Sequence, residues 1–288
     1  MGLQDDLQGL CRKAGGSHLT IEGRERHLRE FARWCRENNY QIQRADQIKE
    51  KHIRGFLDSL RDNNSERTRQ NKLASLRVVI RETGKTKFAD GIKTRAMGVQ
   101  QACRDGTKRA MTDSEFKEAL ARVGERDQGC AVAIDLCREL GLRRTEAVMA
   151  DQTTLTRWAR EVGAGQQVHI IRGTKGGRPR WTVPANRERA AAAVARAFAV
   201  AKANGGHLIK IKGGGLRESI NRIKNVAYEC GLRGKTSLHS LRYAYACERF
   251  DQLREAGYDR RDAASQVSQD LGHGDGRINY VMQVYTKK

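Results

Sequence analysis

The chain has 288 residues, the length of one large domain or two of ordinary size, and carries 55 Lys+Arg against 34 Asp+Glu, a formal net charge of +21. A chain this basic points to a polyanion partner, because neutralising phosphates releases counterions; nucleic acid leads, with a ribosome-associated role as the bland alternative. The 38% apolar content supports real cores and the 2 prolines argue against disordered linkers, while no apolar run reaches membrane-spanning length and residues 1–20 lack a signal-peptide core.

In Thr20–Asn38, Leu28, Phe31, Ala32 and Cys35 recur at the spacing of one helix face. Lys51–Asp62 places Ile53, Phe56, Leu57 and Leu60 on one side, and Ser65–Thr83 turns Leu73, Leu76 and Ile80 inward with Gly84 as its stop. The outer face of that third helix is expected to carry Arg67, Thr68, Arg69, Lys72 and Arg77. Such a face suits a DNA groove or backbone, though a merely solvated face has the same composition. Residues 84–110 lose the periodicity and gain charge, so they read as mainly linker with room for a short helix. Thr112-Asp113-Ser114-Glu115 is a capping box and marks the start of a second domain.

Cys130–Leu140 is a strongly apolar helix ended by Gly141. Gln167–Arg172 and Arg180–Val183 read as strands flanking the glycine-rich turn Gly173-Thr174-Lys175-Gly176-Gly177. Ala185–Ala203, Leu216–Cys230, His239–Leu253 and Arg261–Leu271 read as helices. The expected fold is mainly α with a small β-sheet. It comprises an N-terminal helical domain over 1–95 (ordered from about 18), a linker over 96–106 and a mixed α/β domain over 107–288. Residues 1–106 hold 22 basic and 14 acidic side chains and residues 107–288 hold 33 and 20, so both parts are expected to touch the partner as a clamp. The cysteines at 11, 35, 103, 130, 137, 230 and 247 are odd in number and form no CxxC pair. They read as small buried hydrophobes in a reducing cytosol.

Six residues stand out for chemistry. Arg143 lies in Gly141-Leu142-Arg143-Arg144-Thr145-Glu146, with Arg144 as a competing position. Lys175 lies in the glycine turn. His239 and Arg242 are spaced i, i+3 and share a helix face. His273 follows Leu271-Gly272, and Tyr285 sits in Val284-Tyr285-Thr286-Lys287, with Tyr280 as its rival. Phosphodiester cleavage needs a nucleophile, charge stabilisation on the non-bridging oxygens and a proton for the leaving oxygen. Tyrosine suits the first task, the planar arginine fork the second and lysine the third.

In this order the set resembles the active site of the tyrosine recombinases, the lambda-integrase-like family. Residues 18–95 resemble its core-binding domain and 107–288 its catalytic domain. The resemblance implies that Tyr285 attacks the scissile phosphate and forms a 3′-phosphotyrosyl link. Arg143 and Arg242, helped by His273, would stabilise the transition state, Lys175 would protonate the leaving 5′ oxygen and His239 would assist the tyrosine proton. It implies no metal or other cofactor. The implied partners are double-stranded DNA, further copies of the chain as dimer to tetramer, and accessory DNA-bending or directionality proteins. The implied work is phage or mobile-element recombination in the cytoplasm, at the nucleoid. There are departures from the family pattern. Tyr243 stands where His often follows the arginine, the His273–Tyr285 gap is a few residues long, and an insertion near Glu255–Ala263 lengthens the step from Arg242 to His273. Only Thr286, Lys287 and Lys288 follow Tyr285, where relatives often carry a helix that docks onto a neighbour. Two other readings use the same residues: a type IB topoisomerase-like enzyme and a catalytically silent DNA-binding relative.

Overall fold

Apolar side chains at helical spacing gather into cores within two units, Met1–Arg104 and Asp105–Lys288. The computed structural model describes residues 2–102, 106–211 and 213–286. Cys103 and the last two lysines lie outside the described residues.

The first unit is built from α1 (Leu3–Lys13), α2 (His18–Glu37), α3 (Glu50–Ser59), α4 (Glu66–Glu82) and the short α5 (Thr86–Gly91). Serines start its two longest helices: Ser17 accepts from Thr20 N and Ser65 from Thr68 N, both at 3.3 Å. The expected faces of α2, α3 and α4 meet in one core, where Phe31 and Phe56 pack edge to face at 5.3 Å. Two segments add to it unexpectedly. Helix α1 buries Leu3, Leu7 and Cys11, and the stretch read as linker returns Ala89, Ile92, Met97 and Val99 to the same core.

The outward basic face expected for α4 is corrected at three positions. Arg69 is 1% exposed and donates to the carbonyls of Leu57 (3.1 Å) and Gly98 (3.0 Å) and to Glu66 (2.6 Å). Lys72 is buried against Glu30, and Arg77 is half-buried, donating to Ile92 O and Thr94 Oγ1. These long side chains satisfy carbonyls where segments meet, which apolar periodicity alone does not reveal. Thr68 is occupied at the helix start, and Arg67 remains exposed.

The second unit opens with α6 (Asp113–Arg126), whose Thr112–Glu115 box closes through Glu115 N to Thr112 Oγ1 at 3.3 Å and Thr112 N to Glu115 Oε2 at 2.9 Å. Helix α7 (Gln128–Glu139) is buried from Gly129 to Glu139, because α6, α10 and α12 surround it. Next come α8 (Arg144–Val148) and α9 (Gln152–Gly163), which was not anticipated. Strands β1 (Val168–Ile170) and β2 (Arg180–Thr182) pair antiparallel with His169 opposite Trp181. The helices α10 (Arg187–Ala203), α11 (Leu216–Glu229), α12 (Leu238–Glu255) and α13 (Arg260–Asp270) follow, then α14 (Ile278–Tyr280), which runs into a π-helical turn at Val281–Tyr285. The fold of the described residues is thus mainly helical with one small sheet, as the sequence indicated. Cys11, Cys35, Cys130, Cys137 and Cys230 are buried, and burial pushes the thiols of Cys35 and Cys137 up to about 12. Among the described residues no helix is long and apolar enough to cross a membrane.

Candidate active site

Gly141 ends α7 at φ 57°, and a Cβ there would lie 2.5 Å from the Tyr245 ring, so only glycine makes this turn. The turn delivers Arg143 to the start of α8. Its backbone N–H donates to Glu146 Oε2 at 2.7 Å, its Nη1 to Glu146 Oε1 at 2.7 Å and its Nη2 to Leu271 O at 3.2 Å. Arg242, on the first turns of α12 and 1% exposed, donates to the carbonyls of Gly141 and Leu271. A third guanidinium, Arg180 of β2, reaches the same acceptors. It donates to both Glu146 oxygens (3.2 and 2.7 Å), to Gly141 O at 3.2 Å and to Asp270 O.

Arg143 and Arg180 therefore share one carboxylate, and all three guanidiniums donate to neutral carbonyls. The nearby Asp270 carboxylate is already held by Arg249 at 3.1 Å and Gln266 at 3.0 Å. Burial alone would raise the pKa of Glu146, but Arg180, Arg242 and the Arg143 N–H outweigh it and hold the carboxyl at about 2. Burial, then the neighbouring Arg180 and Arg143, pushes Arg242 down to about 10, so it stays a cation at neutral pH. This surplus of buried positive charge favours an anion with several acceptor oxygens.

Tyr285 ends the π-helical turn and is 2% exposed. Its ring lies 4.5 Å from Tyr243, 5.8 Å from Tyr280 and from His273, and 6.2 Å from His239. Its hydroxyl sits 3.3 Å from His273 Nε2. Burial, then Arg242 and Arg143, pushes His273 down to about 3; burial of its ring, then Arg242, Lys108 and Arg143, lowers His239, although that residue is exposed. Both imidazoles are therefore neutral at pH 7, each with one ring nitrogen able to accept a hydrogen bond. The sequence reading set His239 beside the tyrosine hydroxyl, whereas in the structure His273 makes that hydrogen bond.

Lys175 is exposed on the turn between β1 and β2. A cleft of about 970 Å³ joins it to Arg143, Arg178, Arg180, His273 and Tyr280. The fold thus gathers Arg143, Arg242, His239, His273 and Tyr285, with Lys175 along the cleft. Tyr280, the rival nucleophile, lines the cleft itself, and burial raises its hydroxyl pKa. Arg180 was missed as a site residue. The available signal was strand alternation, since Arg180 and Thr182 face inward while Trp181 faces out.

The chain matches the integrase family over residues 98–248 and the family of phage integrase N-terminal domains over residues 1–89. The first match contains Arg143, Lys175, His239 and Arg242; His273 and Tyr285 lie beyond it. No curated protein sequence matches. Among solved structures, the Tn1549 transposon integrase in complex with transposon right-end DNA is similar, at 14% identity over 100% of this chain and 96% of that one with a TM-score of 0.65. So is a lambda integrase tetramer bound to a Holliday junction, at 15% identity over 95% and 77% with a TM-score of 0.59. A lambda integrase dimer on a core site gives 14% identity, 95% of each chain and 0.61. The first family match covers more than half of the chain, and the fold agrees along its whole length: the chain belongs to the integrase family of tyrosine-type site-specific recombinases.

Proposed function

We propose that the chain cuts and rejoins duplex DNA with Tyr285 as nucleophile, in the service of a phage or other mobile element. The scissile phosphate binds where Arg143 and Arg242 converge, and their forks hold the non-bridging oxygens as charge builds in the transition state. Tyr285 Oη attacks phosphorus as its proton passes to a neutral imidazole. His273 already holds the hydroxyl, and the His239 ring lies 6.2 Å from the Tyr285 ring. The bond to the 5′ oxygen breaks, Lys175 supplies the proton, and a 3′-phosphotyrosyl link and a free 5′-hydroxyl remain. Attack by the 5′-hydroxyl of a partner strand reverses these steps and joins the strands. The partners are double-stranded DNA and further copies of the chain, a reading supported by the DNA-bound dimer and tetramer of lambda integrase. Arg67, exposed on α4, and the bordering Thr68 are the backbone contacts we assign to the first unit. The work takes place in the cytoplasm, at the nucleoid.

The observation that carries this reading is the cluster of Arg143, Arg180 and Arg242 around Glu146 and the Gly141 and Leu271 carbonyls, beside the hydrogen-bonded Tyr285 hydroxyl. The test is incubation with a pool of nicked duplexes together with an acceptor duplex bearing a free 5′-hydroxyl. A denaturation-resistant adduct plus strands joined to the acceptor is expected. Tight binding with neither product would leave a silent DNA-binding protein, and relaxation of supercoils without transfer between duplexes would indicate the topoisomerase-like reading.

A further inference from the structure

Arg180 has no part in the chemistry above, yet it is 5% exposed and makes four hydrogen bonds through all three guanidinium nitrogens. Four of its five N–H donors are already used, against two of five for the Arg242 guanidinium, so it has less left to offer a substrate. Its bonds lead to three places: the Glu146 carboxylate that also fixes Arg143, the Gly141 carbonyl shared with Arg242, and Asp270, whose neighbour Leu271 receives both Arg143 and Arg242.

We propose that Arg180 is a positioning residue for leaving-group protonation: it seats the β1–β2 hairpin, and with it Lys175, on the turn that carries Arg143. The hairpin is held at both ends. On the β1 side Gly173, at φ 72°, lies so close to α8 that a Cβ would stand 2.7 Å from Thr145 O and 2.8 Å from Glu146 N. On the β2 side Arg180 grips the carboxylate of that same Glu146. The residues between, Thr174 to Pro179, are exposed or half-buried, so the place of Lys175 depends on these two anchors. A lysine at position 180 keeps the charge but has no fork to join three segments.

The inference rests on the roles proposed for Lys175 and Tyr285. It is tested on the duplex that wild-type protein selects by covalent trapping, prepared with either oxygen or sulfur at the 5′-bridging position of the scissile phosphate. A sulfur leaving group departs without a proton, so it relieves a defect in protonation but not one in holding the phosphate. Full-length wild type, Lys175→Ala, Arg180→Lys and Gly173→Ala are compared. Arg180→Lys is expected to slow cleavage of the oxygen substrate by roughly 10²-fold, within the range a general acid provides, and to recover to within about tenfold of wild type on the sulfur substrate, like Lys175→Ala. Gly173→Ala disturbs the other anchor without removing a charge and is expected to show the same pattern. It carries the test if Arg180→Lys does not fold. An equal defect on both substrates, or no defect, would overturn the inference. Absence of an adduct with wild type would instead overturn the reading of Tyr285.

Discussion

Glu146→Gln is the most informative stability variant. The Glu146 side chain is fully buried, and its ion-pair partners Arg180 and Arg143 are 5% and 23% exposed. An amide keeps the shape but removes the negative charge that Arg143 and Arg180 hold directly and Arg242 acts on through space. Breaking a buried pair by removing one partner costs about 3–5 kcal/mol, since the remaining cations are left without compensation. The second unit runs from 105 to 288, which is 184 residues (288 − 105 + 1). At that size about 1 kcal/mol shifts the midpoint by roughly 2–4 °C, so a loss of about 6–20 °C is expected. Arg180→Met alone should cost less than Glu146→Gln, because Arg143 still holds the carboxylate through its N–H and its guanidinium. The double variant Glu146→Gln/Arg180→Met should cost less than the sum, because it leaves one cation fewer without the carboxylate than Glu146→Gln does. Scanning calorimetry of the full chain, with hydrogen exchange of the α7 and α8 amides to assign the transition, measures all three. A loss below about 1 kcal/mol for Glu146→Gln, or additive losses in the double variant, would refute the shared-carboxylate account.

Three further outcomes are expected. The lowered pKa of His273 gives the unfolded chain more bound protons below the ordinary value of 6.5, so stability should fall as pH drops from about 6.5 toward 3; His273→Gln should flatten the fall in thermal midpoint between pH 7.5 and 4.5, and an unchanged slope would contradict a neutral buried imidazole. Arg69→Ala should cost the first unit about 3–5 kcal/mol in urea titration, whereas Arg67→Ala should stay within about 0.5 kcal/mol and weaken DNA binding instead; the reverse ranking would mean that α4 is turned the other way. DNA affinity should fall steeply with salt, with a log–log slope of about −5 or steeper if six or more phosphates are neutralised, and a flat response in a binding titration would contradict phosphate-driven binding.

The helices with clean apolar periodicity, α2, α3, α4 and α6, were legible from the sequence, because burial on one face leaves a repeating mark. Helix α9 and the return of Ile92, Met97 and Val99 to the first core were not, since their partners lie far off in sequence. The chemistry-bearing residues were legible as an ordered set of types: Arg143, Arg242, His273 and Tyr285 do meet, on elements up to 142 positions apart in the chain (285 − 143). Long cations were the least legible. Arg69, Lys72 and Arg180 have the composition of a solvated face, yet each is buried because its charge is answered by a specific carboxylate or carbonyl. The choice between the histidines depended on the π-helical turn, which swings the Tyr285 hydroxyl onto His273, and no sequence pattern announces such a turn.

The central claim is that Tyr285 carries the covalent bond to DNA. The direct measurement is peptide mapping of the adduct trapped on a nicked duplex, made with wild type, Tyr285→Phe and Tyr280→Phe. A nucleotide-bearing peptide modified at Tyr285, lost in Tyr285→Phe with DNA binding retained and kept in Tyr280→Phe, is the predicted result. An adduct on Tyr280, which lines the cleft, or one that survives Tyr285→Phe, would contradict it.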